Sequence, residues 1–295
     1  MSPEPPVTVA ELVRRLLTWL HRLMPDGPRL DRLTADLETR FGDVTTEVTA
    51  DDCRAVERCA WAYSRHLLLP FDPDGTAAAD EVSRGWPAPD PDVLRARAGG
   101  LTRVERLDGG ACLITVDSLE AVTYAQPFVD AAFALARGSS RIILDLRANG
   151  GGDPATLAAI AGWLLGDEPQ HLSDVAYRDR RRQWWTPARP AGTALGQDAT
   201  VLVSARTFSS AEALAYHLQA RGRVTVVGET TPGAADHITP VQLTPTVLGL
   251  LPEAVVVDAV TGTNWEGRGV VPDVPCPAGD AVETALAQEP GGTRP

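Results

Sequence analysis

Two short segments combine residue types that can do acyl-transfer chemistry, and each sits where an apolar run gives way to a helical pattern. The first is Arg147-Ala-Asn-Gly-Gly-Gly-Asp-Pro154. Its three successive glycines let the backbone approach a ligand closely and take positive φ. Asp153 can cap the helix that follows, and Pro154 suits its first turn. Backbone N–H groups presented there can hold an anion or a developing oxyanion. The segment lacks the Gly-Lys-Ser/Thr of a phosphate loop and does not spell GxGxxG. Its alternative without chemistry is a tight strand-to-helix turn. The second segment is Ser204-Ala-Arg-Thr-Phe-Ser-Ser-Ala-Glu212. A serine at a sharp strand-to-helix turn is exposed in the positive field of the helix start and can serve as a nucleophile. Ser209-x-x-Glu212 equally spells a capping box, which needs no chemistry at all. Both roles coexist if Ser210 caps while Ser209 faces a cleft.

Other constellations are missing. All 27 basic residues are arginine, so a lysine base, Schiff base or phosphate-loop lysine is excluded. The five histidines are scattered without HExxH, and Cys53, Cys59, Cys112 and Cys276 lack CxxC spacing. No metal and no cofactor is therefore expected. His217 follows Ser209 by eight residues on the same predicted helix, roughly 12 Å along its axis, beyond the reach of proton transfer. It reads as a helix-surface or packing residue. His21 and His66 fall in the N-terminal helical segment, and His171 opens a strand candidate. Trp184-Trp185 after Arg178–Arg182 reads as a solvated charged turn over packed tryptophans, or as a basic-aromatic patch for an anionic or peptide ligand.

The elements that must position these segments can be read from periodicity. Val9 to Met24, Leu30 to Phe41 and Thr49 to Leu69 show three- and four-residue apolar spacing, which predicts a small helical bundle over residues 1–70. A Pro-, Gly- and Asp-rich linker is expected at 71–92. Beyond it, apolar strands (Ala111–Val116, Arg141–Leu146, Thr200–Val203, Arg223–Val227) alternate with helical patterns (Ala121–Arg137, Pro154–Leu165, Ser209–Ala220). Strands near Val241 and Val255 and a closing helix at Asp280–Ala287 follow. This rhythm predicts an α/β core of mainly parallel strands over 93–288, with a disordered tail at 289–295.

Four stretches in this order, RIILDLRANGGG, ARTFSSAEALAY, RVTVVGETTPGAA and TNWEGRGVVPDV, resemble the tail-specific, C-terminal-processing serine peptidases. The branch they resemble includes interphotoreceptor retinoid-binding protein and the tricorn core protease. The similarity covers approximately residues 93–285. It implies a crotonase-like α/β core of mixed, mainly parallel strands. It also implies Ser209 as the nucleophile, with oxyanion donors at Ser210 and at Gly151 and Gly152. In the lysine branch the base follows GE-T-x-G, which falls here on Ala234. In the tricorn-like branch a histidine stands in the early core strand, which here reads ACLITVD and has none. Both base positions are vacant. His237, in Gly233-Ala-Ala-Asp-His237, is the candidate replacement, with Asp236 beside it. Glu212 joins Ser209 and His237 in the expected catalytic set, and Asp236 and Trp265 are expected to line the cleft.

The expected activity is that of a serine hydrolase, peptidase-like, acting on a peptide tail. The alternative is a non-proteolytic member of the same fold that binds, cyclises or isomerises a hydrophobic small molecule. A formal net charge of −12 argues against a nucleic-acid or anionic membrane partner. No apolar run is long enough to span a bilayer, and Met1 to Glu11 has no basic-then-apolar leader pattern. A cytoplasmic protein that could oligomerise is the expectation.

Overall fold

The computed structural model describes residues 6–76, 81–82 and 90–288. In chain order the helices are α1 (Val9–Leu23), α2 (Pro28–Phe41), α3 (Ala50–Ala60), α4 (Pro91–Ala96), α5 (Val122–Ala136), α6 (Pro154–Leu165), α7 (Ser210–Ala220) and α8 (Ala281–Ala287). The strands are β1 (Glu81–Val82), β2 (Leu101–Arg106), β3 (Cys112–Val116), β4 (Arg141–Asp145), β5 (His171–Tyr177), β6 (Arg181–Trp185), β7 (Asp198–Val203), β8 (Val224–Gly228), β9 (His237–Thr244), β10 (Val247–Asp258) and β11 (Val274–Pro275). The chain forms two compact units: Met1–Ala88 with Val175–Arg182 and Asp236–Val256, and Pro89–Asp174 with Gln183–Ala235 and Val257–Pro295.

In the first unit, Thr8 caps α1 by accepting from the Glu11 N–H, and Thr49 and Asp52 form a reciprocal capping box on α3. The third helix ends at Ala60, well short of the expected Leu69. The apolar stripes of the three helices bury Leu12, Leu16, Leu30, Leu33, Leu37 and Val56 against Val241, Leu243, Val247 and Leu251 of β9 and β10. Residues 236–256 therefore belong with the helices, where the sequence rhythm places all of 93–288 in one α/β core. β9 and β10 pair antiparallel, with Leu250 opposite Pro240, in a sheet of order β1-β9-β10-β5-β6. Half of the expected linker at 71–92 lies outside the described residues, and so does the whole expected tail at 289–295.

The second unit is built on a six-stranded sheet of order β11-β8-β7-β4-β3-β2. All pairs are parallel except β2–β3 at one edge. Every residue of β4 is buried, and β7 is buried from Ala199 onward, as two covered faces require. Leu113, Ile143, Leu202 and Val227 meet Ala281 and Ala285 of α8 on one face. The chain is thus mixed α/β with a mainly parallel sheet, as the sequence rhythm predicts. The adjacent parallel strands β4 and β7 end at the same edge of the sheet and deliver both chemistry-bearing segments there.

Candidate active site

Ser209 is the N-cap of α7 and has φ 56 and ψ −125. Among the described residues, only Ala98 is another non-glycine at positive φ. Such a backbone costs on the order of 1–3 kcal/mol and persists only where its surroundings over-determine it. Here the surroundings do. The Ser209 N–H donates to Glu212 Oε2 at 2.8 Å, and the Phe208 N–H donates to the Asn149 carbonyl at 3.0 Å. The Ser210 hydroxyl donates to the Gly152 carbonyl at 2.8 Å. Thr207 Oγ1 donates to the Leu146 carbonyl and accepts from the Ser204 N–H, closing the loop after β7.

The glycine segment fits against this turn because it has no side chains there. A Cβ on Gly151 would lie 2.7 Å from the Ser209 Cβ and 3.1 Å from the Ser210 nitrogen. A Cβ on Gly152, at φ +134, would lie 2.0 Å from the Leu119 carbonyl oxygen. The expected oxyanion donors divide. The Gly151 N–H is occupied, donating to Asn149 Oδ1 at 2.8 Å, because the Asn149 side chain turns back under its own loop. The N–H groups of Ser210 and Gly152 make no hydrogen bond among the described residues. Ser209 and Ser210 are half-exposed, and Gly152 is exposed.

Glu212 is fully buried and accepts four hydrogen bonds. Oε2 takes the Ser209 N–H and the Ala234 N–H (2.9 Å), while Oε1 takes the Gly233 N–H (2.7 Å) and the Thr231 hydroxyl (2.5 Å). Burial pushes its pKa up, and the Thr231 hydroxyl and these N–H groups pull against that shift. Glu212 therefore works as a clamp between the serine turn and the loop at 228–235, rather than as the proton-transfer group implied by a place in the catalytic set. Trp265 is also corrected. Only 2% exposed, it does not line an open cleft. It donates from Nε1 to the Ala234 carbonyl at 3.2 Å and packs on Tyr216 and His217, at centroid separations of 5.1 and 5.8 Å.

The remaining expected residues belong to the first unit. Asp236, expected to line the cleft beside His237, is 2% exposed and forms a buried ion pair instead. Arg29 meets both of its carboxylate oxygens, and the Ser64 hydroxyl donates to Oδ2 at 2.6 Å. His66 Nδ1 lies 2.6 Å from the Asp236 carbonyl oxygen. His237 opens β9 half-buried, its Nδ1 3.3 Å from the Tyr177 hydroxyl. Burial, with the Arg182 and His66 charges, holds its pKa down to about 4, against a pull upward from Asp236. The ring is neutral at physiological pH. His217 is a core residue, its Nδ1 2.7 Å from Asp258 Oδ2.

Residues 111–276 match the model of Peptidase family S41. The chain belongs to peptidase family S41. Solved structures with a similar fold include a candidate peptidase from Parabacteroides merdae ATCC 43184, with TM-score 0.64, 15% identity and coverage of 95% of this chain and 96% of that one. A lipoprotein from Streptococcus agalactiae gives TM-score 0.59 at 14% identity over 97% of both chains. A candidate S41 protease from Bacteroides fragilis NCTC 9343 gives 0.50 at 20%, covering 66% of this chain and 54% of that one. These likenesses speak to fold.

For an S41 member, two residues escaped the sequence reading. Asn149 is fully buried and ties together the end of β3 and the two loops of the site, through Val116, Gly151 and Phe208. An asparagine in a glycine-rich strand exit is a signal for such a turn. Tyr177 carries no local signal, because only folding brings β5 to β9.

Proposed function

We propose that this S41 peptidase family member is a serine peptidase in which the Ser209 Oγ attacks the scissile carbonyl. The resulting oxyanion is held by the N–H groups of Ser210 and Gly152. One observation carries the reading. A serine is kept in a strained turn, and two backbone donors that make no hydrogen bond among the described residues lie beside it, on Ser210 and on the glycine segment packed against the turn. His237 is the proton acceptor in this reading. It takes the Ser209 proton and returns it to the leaving amine, and water then repeats the sequence on the acyl-enzyme. Two facts support His237. Its ring is neutral, and it follows by three residues Ala234, whose N–H shares Glu212 Oε2 with that of Ser209. The substrate class is a peptide or a protein tail.

Ala234 itself favours a second reading. It stands where the lysine branch supplies its base, and a scaffold without that base could bind, cyclise or isomerise an apolar small molecule. Fluorophosphonate labelling separates the two. The peptidase reading expects a covalent adduct on Ser209, none in Ser209→Ala, and unchanged melting of that variant. A folded protein that never labels, with peptide turnover indifferent to Ser209→Ala, overturns it.

A further inference from the structure

Helix α7 has a second end. Counting from Ser209 to its C-cap Arg221, that end lies about 18 Å along the helix from the serine. A cavity of about 620 Å³ opens there, lined among others by Leu165, His171, Trp185, Arg221, Arg223 and Val260. The size suits a small organic ligand.

Its polar groups are unequal. Arg221 is neutralised by Asp258 at 2.9 Å, and its other nitrogen donates to the carbonyls of His171 and Leu172. Arg223 has no carboxylate in ion-pair contact among the described residues. Its Nε donates to the Leu164 carbonyl (2.6 Å), and its Nη2 donates to those of Leu195 (2.8 Å) and Gln197 (2.7 Å). Nη1 makes no hydrogen bond among the described residues, so two N–H donors remain on a cation that feels the Asp198 charge without pairing to it. That is an unusual opening in a chain of net charge −12.

The cavity's apolar walls are also exposed. Trp185 is 47% and Val260 59% exposed, two of the six large hydrophobic residues left in solvent among those described. The Trp185 ring stacks on His171 with centroids 4.6 Å apart and planes 15° from parallel, which presents a flat aromatic shelf. A shelf and a branched aliphatic side chain beside a guanidinium with two open N–H donors complement an apolar body bearing one carboxylate.

We propose that this cavity binds an organic carboxylate with a flat or branched apolar body, through Arg223 and the Trp185–Val260 rim. Two sources share that chemistry, a free aromatic or aliphatic acid and the C-terminal residue of a peptide. The proposal is independent of the serine chemistry. Arg223→Gln would orphan three carbonyls and risks unfolding, so the rim variants Trp185→Ala and Val260→Asp carry the test. Calorimetric titration of the full chain with indole-3-propionate and its primary amide is the first arm. The second uses an acetylated peptide ending in leucine, as free acid and as amide. Saturable binding of an acid, roughly ten-fold weaker for its amide and weakened roughly five-fold or more by each rim variant at unchanged melting temperature, is expected. The arm that shows this pattern names the source. The proposal is overturned if neither acid saturates at millimolar concentration, if amide and acid bind equally, or if the rim variants bind as the parent does.

Discussion

At the scale of single residues, the candidate site is organised by groups that never touch a substrate. Glu212 offers four lone-pair directions and all four are filled by donors, so its charge is matched by geometry rather than by a cation. Glu212→Gln would set an NH₂ against two of those donors. The expected loss is about 1–3 kcal/mol in urea unfolding. A larger proportional fall in fluorophosphonate labelling is also expected, because Ser209 depends on that carboxylate for its turn. Equal labelling rates would remove Glu212 from the positioning role. The spelling S-x-x-E was legible in the sequence as a cap, but that spelling cannot reveal that the same carboxylate also holds residues 231–234. His237 makes a second residue-scale prediction. Burial lowers its pKa from 6.5 to about 4. Between those values the unfolded chain takes up a proton that the folded chain refuses, so stability falls as pH drops through this window. The decline is on the order of 3 kcal/mol for this residue. The buried His66 and His217 add to it, since burial depresses both. His237→Gln should flatten the decline in a chemical-unfolding series. If His237 is the base, the acid limb of kcat/KM should lie near its depressed pKa rather than near the ordinary histidine value.

At the scale of elements, the site rests on two strand-to-helix connections whose strands, β4 and β7, are direct parallel neighbours. Their apolar runs and the helices after them were legible because two-face burial and helical periodicity leave strong marks. The three glycines were legible as a group but not individually. Only packing against Leu119 and Ser209 distinguishes them. Gly150 has open space around a hypothetical Cβ and no positive φ, whereas Gly152 has a carbonyl oxygen 2.0 Å away at φ +134. Gly150→Ala should therefore change the urea midpoint by no more than about 0.5 kcal/mol equivalent. Gly152→Ala should lose about 3 kcal/mol or more, from backbone strain added to the clash. Similar losses for the two variants would mean that the loop relaxes freely and that its packing does not constrain Ser209. The β5–β6 hairpin was read only in part, with a strand candidate opening at His171 and Arg178–Arg182 taken for a charged turn. Strands rich in arginine on an exposed surface lack the apolar alternation by which strands are recognised.

At the scale of the whole molecule, the sequence reading divided the chain in series, helices first and the α/β core after. The chain instead leaves the α/β unit twice, at 175–182 and 236–256, to complete the unit begun by the N-terminal helices. Local pattern cannot show this, because the alternation Val241, Leu243, Val247, Leu251 says that one face is buried and not what buries it. The packing answers that question, since these four side chains are fully buried in one cluster with the leucines of α1 and α2. The helices are therefore half of a core whose other half is encoded some two hundred residues later, and they are not an appendage that can be removed. A chain starting at residue 71 would keep β9 and β10 but present their apolar face to water, a contiguous patch of the kind that drives aggregation. It should accumulate as insoluble or dye-binding polydisperse material, while the full chain stays monodisperse in light scattering. Supplying residues 1–70 in trans should partly restore solubility, since the covering surface is apolar and non-covalent. A truncated chain that is soluble and melts cooperatively at the parent temperature would show that β9 and β10 are stabilised without those helices, and the two-part core would have to be abandoned.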